Sequence, residues 1–179
     1  AADDNLLNST RSTDFITPKS RSSRVLRDAV LQLAEHEPFA RTLVNSGRLS
    51  TPTPYLGSSL NTADETRFEG AMRPGTNCAD APVLHRGKAG WLLEHLGEGF
   101  TLLVFGPAPG VREVTAGGIT AKVLHVGEDV IDAQGLLASR YDGTPGTVYL
   151  IRPDQHVAGR WRSFDASKIE RAIAKACGR

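Results

Sequence analysis

The residues in this sequence whose types could support chemistry are two cysteines, five histidines, two glycine-bearing turns and one basic-aromatic triplet. Cys78 and Cys177 lie 99 positions apart, so they form no Cys-x-x-Cys pair, the spacing that dithiol exchange requires. Two cysteines are also too few for the disulfide framework of a small secreted domain, which makes a reduced, cytoplasmic setting the expectation. His36, His85, His95, His125 and His156 include no pair at the i, i+2 or i, i+4 separation of a local metal motif, and each falls in a different predicted element. Neither Gly106 to Gly110 nor Gly117-Gly118 reproduces Gly-x-Gly-x-x-Gly or a phosphate loop ending in Lys and Ser/Thr, so both read as turns. No Gly-x-Ser-x-Gly elbow is present for a serine nucleophile. Arg160-Trp161-Arg162 is too small a patch to grip nucleic acid, and charge protecting an edge strand is the plainer reading. No residue of this chain is assigned a catalytic, cofactor-binding or metal-binding role on these grounds.

The composition is that of an ordinary globular protein: 179 residues, 40% hydrophobic, 23% charged and 6% aromatic. The formal balance is only +1. A phosphate-binding domain usually carries a clear basic excess, so nucleic acid is not expected as a partner. The longest strongly apolar run, Phe100 to Phe105, is far short of the roughly 20 residues that cross a bilayer, so no membrane partner is expected either. The start, Ala1-Ala2-Asp3-Asp4-Asn5, has neither the basic end nor the apolar core of a secretory signal. Met72 is the only methionine, so either an initiator was trimmed or the chain is a piece of something longer.

Glycine divides the chain. Of 18 glycines, only Gly47 falls within the first 50 residues. There, Val25, Leu26, Ala29, Val30, Leu33 and Ala34 make a helical stripe over Arg24 to Glu37, which Ser22 or Ser23 can cap. Pro38 suits the first turn of a second helix, whose short apolar face of Phe39, Leu43 and Val44 stops at Asn45-Ser46-Gly47. Residues 1–50 are thus a short helical hairpin, too small to be a domain. Residues 51–79, with Thr51-Pro52-Thr53-Pro54 and Arg73-Pro74-Gly75, read as a linker or extended strap.

Residues 80–179 alternate between α and β. Trp91 to Leu96 is a short helical candidate, and Phe100 to Phe105 a strand buried on both faces. A second strand spans Lys122 to Val126, and a short helix Asp132 to Tyr141. The strands Thr147 to Ile151 and Val157 to Trp161 are separated by Arg152-Pro153-Asp154-Gln155, turn chemistry that predicts an antiparallel hairpin. The last helix carries Ile169, Ala172, Ile173 and Ala176 on one face. Asp165 is its N-cap, a Phe164–Ile169 staple fixes its entry, and Gly178 follows its end.

This order matches an α/β, thioredoxin-like layout. A redox member of that layout places Cys-x-x-Cys after the central strand, at a helix N-terminus that lowers the thiol pKa. Here the position reads Phe105-Gly106-Pro107-Ala108-Pro109-Gly110, without cysteine, and the closely spaced prolines discourage a helix. The layout also sets a cis proline before its C-terminal hairpin. Thr144-Pro145-Gly146 stands there, with a cis Pro145 and an ordinary trans turn both open.

Particular segments resemble a known family. Arg11-Ser12-Thr13-Asp14-Phe15-Ile16-Thr17-Pro18-Lys19-Ser20, Arg24 to Val30 and Phe39 to Ser50 look like the end of the catalytic region in bacterial FAD-dependent aromatic-ring monooxygenases, the class of phenol hydroxylase and 3-(3-hydroxyphenyl)propionate hydroxylase. Arg73-Pro74-Gly75 through Ala79-Asp80-Ala81-Pro82, Trp91-Leu92-Leu93, Gly99 to Gly106, and Tyr149 to Asp154 with Val157-Ala158 are similar to that family's thioredoxin-like C-terminal domain. The resemblance implies a parent enzyme that uses FAD and NAD(P)H to hydroxylate a phenolic ring. Its flavin fingerprints are not in these residues, so this fragment is expected to hold no cofactor and to be structural or dimer-forming. Its implied partners are the missing N-terminal flavin domain and a second copy of itself. The alternative is a self-standing thioredoxin-like binding or scaffold module without thiol chemistry.

Overall fold

The computed structural model describes residues 2–44, 52–106 and 110–179. The chain divides into two units, Ala1–Thr53 and Pro54–Arg179. The first is helical, with α1 (Ala2–Ile16), α2 (Arg21–His36) and α3 (Pro38–Val44). Helix α2 begins three residues before the predicted start. Its cap is Ser20, in extended backbone, whose Oγ accepts from the Ser23 N–H at 3.0 Å; Ser22 and Ser23 lie inside the first turn. Pro38 opens α3, and Arg41 reaches back to the Ala34 and Glu35 carbonyls at 3.0 and 3.4 Å, closing the end of α2. Helix α1 was not expected, because Leu6, Leu7, Phe15 and Ile16 make too sparse a stripe; none of its residues is buried. The predicted stop at Asn45-Ser46-Gly47 lies outside the described residues.

In the second unit, β1 (Pro82–His85) and β2 (Lys88–Trp91) form an antiparallel hairpin, and a 3₁₀ turn (Leu92–His95) follows. The main sheet contains β3 (Phe100–Phe105), β4 (Glu113–Ala116), β5 (Ile119–Val126), β6 (Val148–Ile151) and β7 (Val157–Trp161), in the order β4-β5-β3-β6-β7. Strands β3 and β5 are parallel, and every other neighbouring pair is antiparallel, the β6–β7 hairpin included. All six residues of β3 are buried. Leu103 and Phe105 join a cluster with Leu92, Leu137 and Tyr141 on one face, while Phe100, Leu102 and Val104 join Ile169 and Ile173 on the other. The first cluster takes α4 (Leu136–Tyr141) and the second α5 (Ala166–Ala176). Helix α5 has its predicted cap, Asp165 accepting from the Lys168 N–H at 3.1 Å, with Phe164 packed in the same cluster as Ile169.

Three expectations are corrected and one open alternative is resolved. The helix at Trp91 to Leu96 is a single 3₁₀ turn, because Trp91 is the last residue of β2. The strand expected from Lys122 starts at Ile119, since the Gly117-Gly118 turn, with φ of 56° and 81°, folds β4 back onto it. The helix expected from Asp132 starts at Leu136; the Asp132 carboxylate instead accepts from the Ala138 N–H at 2.8 Å. No peptide bond among the described residues is cis, so Thr144–Pro145 is trans. Thr147 N–H donates to the Thr144 carbonyl at 2.9 Å, Pro145 takes the second position, and Gly146 has φ 97° at the third. That is a type II turn, which joins α4 to β6 with a trans proline.

Candidate functional site

The edge of β7 is not free. The chain from Pro54 to Ala81 runs along it as a strap: Thr62 N–H donates to the Ala158 carbonyl and Gly75 N–H to the Val157 carbonyl, both at 2.7 Å, and Cys78 N–H donates to the Gln155 carbonyl at 2.8 Å. Gly75, with φ 94°, lets two segments of the strap meet, because a Cβ there would lie 2.4 Å from the Tyr55 carbonyl oxygen. Arg160 is the anchor. Its side chain is 2% exposed; Nε and Nη2 donate to the two Asp64 carboxylate oxygens at 2.9 and 2.7 Å, and Nη1 donates to the Met72 carbonyl at 3.0 Å. Burial is the largest single influence and opposes the guanidinium charge, but Asp64 and Tyr149 together outweigh it and the Arg160 pKa goes up. The Phe68 ring lies 4.4 Å from the Arg160 guanidinium carbon and 3.9 Å from that of Arg162. The reading of Arg160-Trp161-Arg162 as charge guarding an edge is thereby corrected. Arg160 and Trp161 are buried and the edge is covered by chain, so the charge clamps the strap.

Arg162 pairs with Asp142, which also accepts from the Glu69 N–H at 2.7 Å. That backbone hydrogen bond, with Arg162 adding to it, holds the Asp142 carboxyl below the usual range. Asp64 of the strap therefore meets Arg160 of β7 directly, while Arg162 of the following turn is tied to the strap through Asp142, which accepts the Glu69 N–H. Sequence reasoning could not pair residues about 96 positions apart, as Asp64 and Arg160 are. The only signal was an arginine inside an apolar strand.

At the C-terminal end of β3, where a redox motif would sit, positions 107–109 lie outside the described residues, and no helix stands between β3 and β5 among those described. The parallel pair is connected through β4. Cys78 lies instead in the first core cluster, 4% exposed, and burial pushes its thiol up to about 12 against a smaller lowering effect of Tyr141. Tyr141 donates its hydroxyl to the Ala79 carbonyl at 2.8 Å, and burial raises its pKa as well. Tyr149 donates to the Tyr141 carbonyl and stacks edge-on against its ring at 5.2 Å. A thiol this protonated at neutral pH offers almost no thiolate for attack. Cys177, at the end of α5, is half-buried, and both cysteines are free.

The histidines are spread over the fold with one exception. His36 is exposed on α2, His125 Nε2 is 3.2 Å from the Val111 carbonyl, and His156 stacks at 4.9 Å on Tyr55. His85 and His95 stand together, their ring centroids 4.8 Å apart. Among the described residues no group of three or more His, Cys, Asp or Glu side chains is placed to hold a metal.

The first unit presents a different surface. On α2, Val25 and Leu26 are 63% and 65% exposed, and on α3 Phe39 and Leu43 are as open. Arg21, Ser22, Val25, Leu26 and Ala29 line an apolar hollow of about 710 Å³ on this helix. A helix stripe left uncovered in this way is the usual mark of a contact surface.

No family model and no curated protein matches the sequence. Solved structures do match. Aklavinone-11 hydroxylase, in a ternary complex with FAD and aklavinone, is 20% identical with a TM-score of 0.58, over 86% of this chain and 34% of its own. The flavin-dependent monooxygenase PieE, in complex with FAD and substrate, is 20% identical with a TM-score of 0.59, over 92% and 31%. The substrate-free rebeccamycin biosynthetic enzyme RebC is 21% identical with a TM-score of 0.55, over 92% and 30%. The likeness is one of fold, and this chain spans about a third of the length of these enzymes. It establishes an α/β chain folded as the matching third of those proteins is folded. No helix among the described residues is long and apolar enough to cross a membrane.

Proposed function

We propose that this chain is the C-terminal part of an FAD- and NAD(P)H-dependent monooxygenase that hydroxylates a phenolic ring, and that its thioredoxin-like second unit is structural and redox-inert. One observation carries the reading. The fold match extends over 86–92% of this chain, through both units, yet over only about a third of three longer chains, two of them in complex with FAD. The residues 11–50 that resemble the end of a flavin enzyme's catalytic region lie in the unit whose apolar faces are uncovered. Those faces are the contact surface for the N-terminal flavin domain, and in isolated fragment they bring two copies together. The free, protonated Cys78 supports a cytoplasmic setting without thiol catalysis.

The described residues do not fit the flavin itself. Binding its pyrophosphate takes free backbone N–H groups at a helix N-terminus opened by a glycine-rich turn. Here one first-turn N–H of each of α2, α4 and α5 is taken, the Ser23 N–H by Ser20, the Ala138 N–H by Asp132 and the Lys168 N–H by Asp165, so α4 and α5 each set a carboxylate where the phosphate would lie. Flavin and nicotinamide binding are therefore assigned to sequence outside this chain.

The test is a flavin-fluorescence titration of the purified chain, beside an assay of the longest gene product for phenol-dependent NAD(P)H oxidation. No flavin binding by the chain and flavin-dependent turnover by the longer product are expected. A longest product that begins at Ala1 and carries no flavin would leave the self-standing module as the answer.

A further inference from the structure

His85 closes β1 and His95 closes the 3₁₀ turn, ten positions apart in sequence, and the β1–β2 hairpin folds one back upon the other. Their rings are 4.8 Å apart between centroids and inclined at 49°. Nδ1 of His85 is 2.8 Å from the Asp129 backbone carbonyl, which can only accept a hydrogen bond. Nδ1 must therefore carry the proton, and in the neutral ring Nε2 presents an unshared pair. This is the arrangement that orients metal-binding imidazoles: one ring nitrogen donates to a carbonyl and the other is left basic and fixed. His95 makes no hydrogen bond within the described residues, so its ring is free to turn toward a shared ion.

The spacing agrees. With a metal–nitrogen distance of about 2.1 Å, two imidazoles on one ion have centroids about 4.5 Å apart at a right angle and about 5.2 Å apart at the tetrahedral angle. The observed separation lies between them. Both residues are half-buried, and His95 also borders an open cleft of about 390 Å³ with Glu94, Glu98 and Lys122, so the His95 side of the pair is within reach of water or an outside ligand. Lys88, the register partner of His85, is exposed and can swing its charge into solvent.

We propose that His85 and His95 form a two-imidazole site for a divalent transition-metal ion, with copper, nickel and zinc as the class that imidazole suits. The site pins the β1–β2 hairpin to the 3₁₀ turn. It is independent of the monooxygenase reading, since nothing in it draws on a flavin.

The experiment titrates the untagged chain with ZnCl₂, NiCl₂ and CuCl₂ at neutral pH by calorimetry, and follows Cu²⁺ by its electron-spin resonance. Micromolar one-to-one binding is expected, tightest for copper, with nitrogen hyperfine structure and a rise in melting temperature. His85→Ala and His95→Ala should each weaken binding by more than the roughly 10- to 100-fold that loss of an outer partner costs. His36→Ala, on exposed α2, should change nothing. Circular dichroism confirms that each variant is folded, and His95→Gln replaces any that is not. Absence of binding below millimolar metal, or binding that survives both substitutions, would overturn the proposal.

Discussion

Among its described residues the first unit has three helices and buries one side chain, Ala40; the second wraps both faces of a central strand. In the second, each apolar run finds a partner layer: Leu103 and Phe105 face α4, Leu102 and Val104 face α5, and even Arg160 is covered by chain from the strap. In the first, the stripe of α2 is well formed but Val25 and Leu26 remain mostly in water. Isolated helices of about 15 residues are marginal because packing supplies most of their stability. The contrast teaches that a good amphipathic pattern specifies a helix without specifying what covers it.

The largest effect should come from the core of the second unit. Leu103→Ala removes a fully buried side chain from the central strand and should cost about 2–5 kcal/mol. Denaturant unfolding followed by tryptophan fluorescence measures it, because Trp91 and Trp161 both lie in this unit. A loss under about 1 kcal/mol would mean that the cluster collapses around the gap, and would weaken the contrast.

The strap clamp comes next. Asp64→Ala leaves the Arg160 guanidinium buried without its carboxylate, a change expected to cost about 3 kcal/mol. The double replacement Asp64→Leu with Arg160→Met should recover much of that loss, since it removes both charges together. Hydrogen exchange at Thr62 and Gly75, whose N–H groups donate to the β7 edge, should rise in the single variant. Unchanged exchange there would show that the backbone hydrogen bonds hold the strap unaided.

How much of this was legible depended on the range of the interaction. Strand β3, strand β7 and the Asp165 cap of α5 follow from a few adjacent residues, and the structure has them at the expected positions. Strand β4 was missed because four residues, Glu113 to Ala116, carry too short an alternation to stand out. The Arg160–Asp64 clamp and the His85–His95 pair were missed for another reason. Each is made by a fold that returns the chain on itself, and neither residue type at that spacing signals it.

Helix caps sharpen the comparison at smaller cost. Asp165→Ala should destabilise the second unit by about 1 kcal/mol, because α5 is packed and its fraying is felt by the sheet. Ser20→Ala removes a comparable hydrogen bond from α2, but should lower helicity locally and leave the main unfolding transition in place. Circular dichroism and tryptophan fluorescence separate the two responses. A coincident shift in both probes for Ser20→Ala would show that the units unfold together.

The smallest change in stability should carry the most information about the first unit. Leu26→Glu replaces an apolar side chain that is 65% exposed with a residue of nearly equal helix propensity, so the folding free energy should move by no more than about 0.5 kcal/mol. Association should respond quite differently, because a carboxylate placed on the α2 stripe must be desolvated whenever a partner covers it. Leu31→Glu is the matched control: the same exchange on the same helix, at a site 42% exposed and about 140° further round at 100° per residue. Light scattering on the unsubstituted chain should show concentration-dependent growth above the monomer, abolished by Leu26→Glu and retained by Leu31→Glu. Equal loss in both variants would put the contact on the helix at large instead of its stripe. A strict monomer for the unsubstituted chain at high concentration would mean that a second copy does not cover this face, leaving a flavin domain in the longer protein as its remaining proposed partner.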